Sequence, residues 1–504
     1  MTRQLILAAL SGALVALAFP PAGQGWVAWI ALCPLLIALR SVRPRRAFGL
    51  GVVAGVVTHG LVAHWLTATF VRFTSMGAGM AVCSHAAIVA FLAVYTGLFA
   101  LLTRIGTRWG LPLPCVAPVA WVATEGLRMW CPIGFPWALL GSSQHASLAV
   151  VQLASVVGVH GLSAFVVLVN AAVAALLMGQ LGRRGAVGVG LLTVLVVGGG
   201  AARLRLIETD GPAARLRVGV VQTHVAQHDR DRPARRARIM SMLRRGSVAA
   251  TAPHPDVIVW PEMAVPFAYD EDVRGRRAVQ AIAADVEAPL LFGSVADARP
   301  APAVRRRLNR MYLLDVDGRV LGTYDKQALM PFGEYVPYGA WLPFVRPIVS
   351  GPGPISPGLP GDLLTVRGTR VGVLLCYESI VPWVARRQVR AGARVLLNPS
   401  NDAWFAGSAA SAQLLAQTTL RAVENGVPVV RVANVGRSAV ITPTGRVTWA
   451  AADDAPTSHV AEVAWSDRPT WYVRHGVVTL WLGLICLLAV GVLGRRPEPP
   501  QPSG

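Results

Sequence analysis

Residues 371–378 read Val-Gly-Val-Leu-Leu-Cys-Tyr-Glu, an apolar run that passes without interruption into a thiol. A run of this kind is a strand covered on both faces. It ends on Cys376, placing a thiol on a strand-to-loop turn whose next backbone N–H can point at the same spot. Two other strand ends repeat the pattern. Residues 256–262, Asp-Val-Ile-Val-Trp-Pro-Glu, put the Glu262 carboxylate where a buried strand must stop, and Tyr324-Asp325-Lys326 follows the second strand of a hairpin turned by Asp317-Gly318.

Lys326 is the only lysine, the other 46 of the 47 basic residues being arginine. An ammonium is a compact charge with a tunable pKa, whereas a guanidinium is a fixed planar fork. Cys376 is equally solitary, because Cys33, Cys83, Cys115, Cys131 and Cys486 all lie in long apolar runs. Strand ends distant in sequence can converge in a fold. A carboxylate, an ammonium and a thiol brought together supply a base, a cation for oxyanion charge and a nucleophile.

Around these three positions, residues 215–466 alternate β-rich runs with helical stretches, the pattern of a layered α/β domain. Strands are expected at 218–221, 257–260, 290–292, 311–316, 371–375, 395–397, 429–432 and 439–442. Most are wholly apolar, so the sheets are covered on both sides.

The rest of the chain is of another kind. With 504 residues, 54% of them hydrophobic and 14% charged, the protein is too apolar for an ordinary soluble one and long enough for two domains. Eight apolar runs suit a bilayer: 5–19, 26–39, 47–62, 80–102, 111–127, 148–178, 187–201 and 477–492. Arginines collect at 40–46, 104–108, 183–184 and 495–496, which fall on one side if the chain crosses eight times. A seven-span bundle over 1–205, an external domain over 215–466, a last span over 475–494 and a disordered cytoplasmic tail over 495–504 follow, with both termini cytoplasmic. Residues 1–20 could also be a cleaved signal peptide.

A net charge of +21 would ordinarily suggest nucleic acid, but arginines spread over cytoplasmic loops and a bilayer-seated domain fit a membrane better. One external cysteine allows no disulfide framework there, and no CxxC or HExxH spacing points to zinc.

Trp260-Pro261-Glu262, Tyr324-x-Lys326-x-x-Leu329-x-Pro331-Phe332-Gly333-Glu334-Tyr335-Val336-Pro337 and Cys376-Tyr377-Glu378 resemble the Glu-Lys-Cys set of the nitrilase, or carbon-nitrogen hydrolase, superfamily. Together with the membrane half, the chain resembles the apolipoprotein N-acyltransferase family. Trp121-x-x-x-Glu125-x-Leu127-Arg128, Gly134-Phe135-Pro136-Trp137, Gly158-x-x-Gly161-Leu162-Ser163, Ser400-Asn401-Asp402-Ala403-Trp404-Phe405, Arg421-Ala422-x-Glu424 and Asn434-x-Gly436 carry that likeness.

The resemblance implies a nitrilase-like αββα sandwich outside a bacterial inner membrane, on the periplasmic side. It also implies acyl transfer in two stages: Glu262 is the general base, Cys376 the nucleophile and Lys326 the oxyanion stabiliser, with help from the Tyr377 N–H. The donor is a glycerophospholipid and the acceptor the diacylglyceryl cysteine of an apolipoprotein. No metal, nucleotide or other cofactor is implied, and a monomer is expected.

Glu334 matches an additional family glutamate that would orient the lysine. Glu378 is read as shaping the site, or else as pairing with Arg386 or Arg387. Asn309 matches a family asparagine but could equally be a turn residue. Residues 338–358 are Pro/Gly-punctuated yet apolar, and Trp341, Leu342 and Phe344 are read as a mobile arm over the lipid entrance. Glu125 and Arg128, costly in lipid, either pair with one another or position a headgroup; His64 and His145 are assigned to interfacial structure.

Two stretches depart from the family pattern. Gln227-His228-Asp229-Arg230-Asp231-Arg232 stands where a tryptophan is common, and Gln413-Leu414 where Gln-His is frequent. Two other readings stay open at this point: a membrane-tethered amidase or nitrilase acting on a small C–N bond, and a transporter or receptor whose external domain only binds.

Overall fold

The computed structural model describes residues 1–131, 133–209, 214–230, 232–298, 306–339, 355–453 and 455–493. Its polar half is built on twelve strands: β1 Ala214–Gln222, β2 Val257–Val259, β3 Leu290–Ala298, β4 Arg306–Leu314, β5 Val320–Asp325, β6 Leu364–Val366, β7 Thr369–Val373, β8 Val395–Ser400, β9 Val429–Ala433, β10 Ala439–Ile441, β11 Val447–Ala450 and β12 Thr457–Trp465. They form two six-stranded sheets, ordered β12-β1-β2-β3-β4-β5 and β11-β10-β9-β8-β7-β6. Within each sheet the inner strands run parallel, β1-β2-β3 in one and β7-β8-β9 in the other; three edges close as antiparallel hairpins, and the fourth is β12 lying antiparallel on β1.

All eight expected strands are present with shifted ends. Strand β12 was not expected from the sequence: Thr-Ser-His-Val-Ala-Glu-Val-Ala-Trp is half polar, and its only full neighbour, β1, is more than two hundred residues upstream.

The wholly apolar reading of the strands follows from their position. Val218, Val220, Val257 and Val259 of one sheet meet Val371, Val373, Val395, Val430 and Val432 of the other in one buried layer. Their alternate neighbours face outward under helices: Ile258, Leu290 and Phe292 pack beneath helices Arg236–Ala249 and Val273–Val286. On the far sheet, Leu374, Leu396 and Ile441 lie in a core that continues through the helices Pro382–Arg390 and Ala410–Asn425 into the N-terminal bundle. The outer helical layer of the second sheet is therefore also the floor on which the bundle rests.

That junction explains why the helix Ala410–Asn425 is buried on nearly every side. Gln413 in its first turns accepts from the indole N–H groups of Trp65 (3.3 Å) and Trp137 (2.7 Å) and donates to the carbonyls of Pro20 (2.8 Å) and Val62 (3.0 Å). Leu414, one of the two departures from the family pattern, packs in the apolar core at the same junction. Further along, Glu424 accepts the Val159 N–H at 2.7 Å, just where Gly158 (φ +70) breaks the helix Ala154–Leu177.

Every one of the eight apolar runs contains helix, but the count of eight crossings is not reached. Among the described residues three helices are long and apolar enough to span a membrane, Ala78–Arg108, Ala154–Leu177 and Arg183–Ile207. Pro44–Val62 and Trp65–Phe73, bent by 55°, would together make a fourth. The reason is length and composition. At 1.5 Å per residue the 16-residue helix Thr2–Leu17 covers roughly 24 Å, short of about 30 Å of hydrocarbon. Run 26–39 divides into a 3₁₀ turn at Gly25–Trp29 and a six-residue helix at Cys33–Ala38. Helix Leu113–Trp130 holds Pro118 and buries Glu125 and Arg128.

Candidate active site

Glu262, Lys326 and Cys376 come together, each at a strand end with its backbone held. Glu262 follows β2 at a turn whose next residue, Met263, has φ +47. A Cβ on Gly293 of β3 would run into the Met263 backbone nitrogen, so the neighbouring strand can pass behind this turn only as glycine. Lys326 directly follows β5, its N–H donating to the Asn309 carbonyl (2.9 Å) and its carbonyl accepting the Gly358 N–H (2.7 Å). Cys376 opens a 3₁₀ turn, Cys376–Ile380, three residues after the end of β7 and itself holds φ +46. A left-handed conformation costs a non-glycine residue roughly 1–2 kcal/mol, and two such residues stand here, Cys376 itself and Met263 after the carboxylate.

Lys326 is 2% exposed, Glu262 6% and Cys376 7%. The ammonium lies 2.9 Å from Glu262 Oε1 and 2.9 Å from Glu334 Oε2. Asn309 is no turn residue: it sits in β4, and its Nδ2 donates to Glu262 Oε1 (2.8 Å) and to Glu334 Oε1 (3.2 Å), binding the two carboxylates together. Glu334 is turned inward by its own loop, since its Oε2 accepts the Met330 N–H at 2.9 Å.

Glu378 pairs with neither Arg386 nor Arg387. Its carboxylate accepts from the backbone N–H of Gln327 (2.7 Å), Ala328 (3.0 Å) and Leu375 (2.7 Å) and from the Tyr324 hydroxyl (2.9 Å). It therefore ties the residues after Lys326 to the strand that delivers Cys376. Tyr377 reaches the bundle, its hydroxyl donating to the Gly134 carbonyl (3.1 Å). Glu125 turns away from Arg128 to the Leu140 N–H (2.8 Å) and His160 Nδ1 (3.2 Å).

Charge and burial set the resting protonation. Burial alone would raise Glu262, but the Lys326 ammonium and hydrogen bonds from Lys326 and Asn309 outweigh it and hold the carboxyl below its ordinary value. Burial works against the Lys326 charge too, yet Glu262, Glu334 and Cys376 raise it well above the usual lysine range. Cys376 is pushed up to about 12 by burial and by the Glu262 field, with Lys326 pulling the other way. One cation already faces two carboxylates, so a thiolate would be a third anion; at rest the sulfur keeps its proton. Burial lifts Glu378 to about 7 against the pull of the three N–H groups it accepts from.

Sequence reasoning assigned no role to Asn401, whose N–H donates to Glu262 Oε2 at 3.1 Å. Nor did it find the buried set around Asp402, which accepts from Ser400 (2.6 Å), Ser411 (2.6 Å) and Arg431 (2.6 Å). The run 400–405 was the available signal. Trp341, Leu342 and Phe344 lie outside the described residues, as does Asp231.

Glu262, Lys326, Glu334 and Cys376 line one end of a cavity of about 360 Å³. Its other walls are apolar and come largely from the bundle: Trp65, Leu66, Phe70 and Phe73 of the helix Trp65–Phe73, and Ile88, Phe91 and Leu92 of Ala78–Arg108. The helix Trp65–Phe73 was not expected from the sequence. Polar chemistry and a greasy lining thus share one space, at a size usual for small-molecule sites.

Residues 11–172 match a family model described as the apolipoprotein N-acyltransferase N-terminal domain, and residues 217–471 match that of carbon-nitrogen hydrolase. A curated protein of Geobacter metallireducens named apolipoprotein N-acyltransferase is 35% identical, over 98% of this chain and 96% of its own. One of the same name from Allorhizobium ampelinum is 33% identical over 98% and 96%. Among solved structures, an amidase of the nitrilase superfamily from Nesterenkonia AN1 aligns with 53% of this chain and 96% of its own at 20% identity, with a TM-score of 0.40.

Proposed function

The chain belongs to the apolipoprotein N-acyltransferase family, and we propose that it moves an acyl chain from a glycerophospholipid, by way of a thioester on Cys376, to the α-amine of the N-terminal S-diacylglyceryl cysteine of apolipoproteins. The observation that carries this reading is the cavity itself. An acyl ester can present its carbonyl to Cys376 while its chain lies along Phe70, Phe91 and Leu92, each buried methylene contributing about 0.8 kcal/mol. A small amide would leave that lining unused, which weighs against the C–N hydrolase alternative.

The proposed chemistry has two halves. In the first, the Cys376 S–H proton passes to Glu262 as sulfur bonds to the ester carbonyl. Lys326, joined by the Tyr377 N–H, stabilises the oxyanion. Because the thiol starts protonated, transfer to Glu262 is uphill alone and is driven by the concurrent movement of negative charge onto the carbonyl oxygen. The C–O bond then breaks, and the lysophospholipid oxygen takes the proton from Glu262. In the second half the acceptor amine bonds to the thioester carbonyl, the C–S bond breaks, and the amine's proton returns through Glu262 to sulfur. Glu334 and Asn309 hold Lys326 and Glu262 in register; Glu378 holds the two loops.

Placement in a bacterial inner membrane, with residues 215–466 on the periplasmic side, both termini cytoplasmic and a single copy acting alone, belongs to the same proposal. Incubation with acyl-labelled phospholipid and a diacylglyceryl peptide is the test. Label on the peptide's α-amine supports acyl transfer; label released only as free fatty acid, or no turnover of lipid beside hydrolysis of small amides, would overturn it.

A further inference from the structure

A second chamber, of about 600 Å³, adjoins the acyl cavity and shares Phe73, Met263, Asn401 and Trp404 with it. Phe73 and Trp404, which line both spaces, pack edge to face with ring centroids 5.1 Å apart. The two spaces differ in chemistry. Where the first is walled by bundle aromatics, the second is lined by Arg230, Arg232, Arg236 and Arg307, against the carboxylates of Glu271 and Asp297. Arg236 is in addition held by Asp272 (2.8 Å) and lies over the Phe267 ring (5.5 Å). Arg230 is close enough to lower the Glu262 pKa, though less than Lys326 and Asn309 do, which sets positive charge near the reacting carbonyl.

We propose that this chamber receives the phosphodiester of the acyl donor. The inference rests on the acyl-transfer reading and adds to it a place for the headgroup. A phospholipid ester at Cys376 has two unlike arms, an acyl chain and a glycerophosphate, and the site has two unlike openings that meet at Asn401. The chain fits the apolar space, and the phosphate fits the arginines, whose planar donors match phosphate oxygens. Gln227, His228, Arg230 and Arg232 supply part of this lining.

The test compares donors that differ only in the phosphate. Thioester formation on Cys376 is followed by intact-protein mass spectrometry with the full chain in mixed micelles, using phosphatidylglycerol or diacylglycerol of the same acyl composition. Wild type is expected to react at least about tenfold faster with the phospholipid, the worth of one good charge-assisted contact. Arg232→Glu with Arg307→Glu, both exposed positions, should erase that ratio while reaction with diacylglycerol persists, and Arg232→Lys with Arg307→Lys should restore most of it. A ratio unchanged by charge reversal overturns the proposal. So does a defect confined to transfer from preformed thioester to peptide, which would give the chamber to the acceptor polypeptide. Failure of wild type to form any thioester would instead strike the acyl-transfer reading beneath it.

Discussion

The Lys326 ammonium lies 2.9 Å from a carboxylate oxygen of Glu262, with both side chains almost wholly buried. Burying two charges is costly unless each is paired and hydrogen-bonded, and here Asn309 and Glu334 complete the set. A planar guanidinium cannot enter a space shaped for an ammonium with two carboxylates at contact distance. Lys326→Arg is expected to retain the fold in part but to lose at least about a hundredfold in acyl-enzyme formation, roughly 2.7 kcal/mol of transition-state stabilisation. Activity within threefold of wild type would show that only the charge matters.

Glu262 raises the pKa of Cys376 and is also the proposed acceptor of its proton, and the two effects can be separated. Glu262→Gln removes an anion beside the sulfur, so the thiolate fraction at pH 8 should rise and alkylation of Cys376 by iodoacetamide should speed up. The gain is about tenfold if the thiol falls by one pKa unit. Acyl transfer by the same variant should be lost. Slower alkylation in Glu262→Gln would mean that Glu262 stabilises the thiolate at rest.

Glu378, raised to about 7, titrates near neutrality. Its folded pKa lies above the unfolded one, so the protonated form is favoured by folding. Its contribution to stability is therefore full below about 4.5, the ordinary value, and is lost as pH rises to about 7 and the buried carboxyl takes on charge. The thermal midpoint in detergent should fall as pH rises from about 5 to about 7, and Glu378→Gln, neutral at every pH, should lack that slope. An unaltered slope in the variant would assign it to another group.

Gln413 binds the bundle to the sandwich through two indoles and two carbonyls. Gln413→Leu would strand all four, at about 1–3 kcal/mol for each group left buried without a partner. Its thermal midpoint in detergent should fall by several degrees, whereas Leu415→Ala, half-buried on the same helix, should shift it less. Equal shifts would deny the bridge its role.

The sequence made the sandwich legible because its inner strands are apolar on both faces, and Val371–Leu375 or Val257–Trp260 can be little else. It made two of the three site groups legible through solitude, one lysine and one cysteine outside an apolar run, and Glu262 through its place at a strand end. Asn309 and Glu378 were ambiguous because their partners are backbone groups and side chains distant in sequence, invisible to local pattern. The bundle was read less well. Composition marks Gly25–Ala38 and Leu113–Trp130 as apolar but says nothing of a break at residues 29–33 or of a bend between Val62 and Trp65, and that bend supplies the cavity wall. Strand β12 was missed because its alternation of Glu462 and Val463 reflects an outer edge, solvated on one face.

Everything in the mechanism passes through one covalent bond to sulfur. Purified protein exposed to phospholipid without acceptor, then analysed by mass spectrometry of the peptide containing Cys376, should carry one acyl group there that hydroxylamine removes at neutral pH and that a diacylglyceryl peptide discharges. Cys376→Ala should carry none. An acyl group found on another residue, or normal N-acylation by Cys376→Ala, would contradict the account.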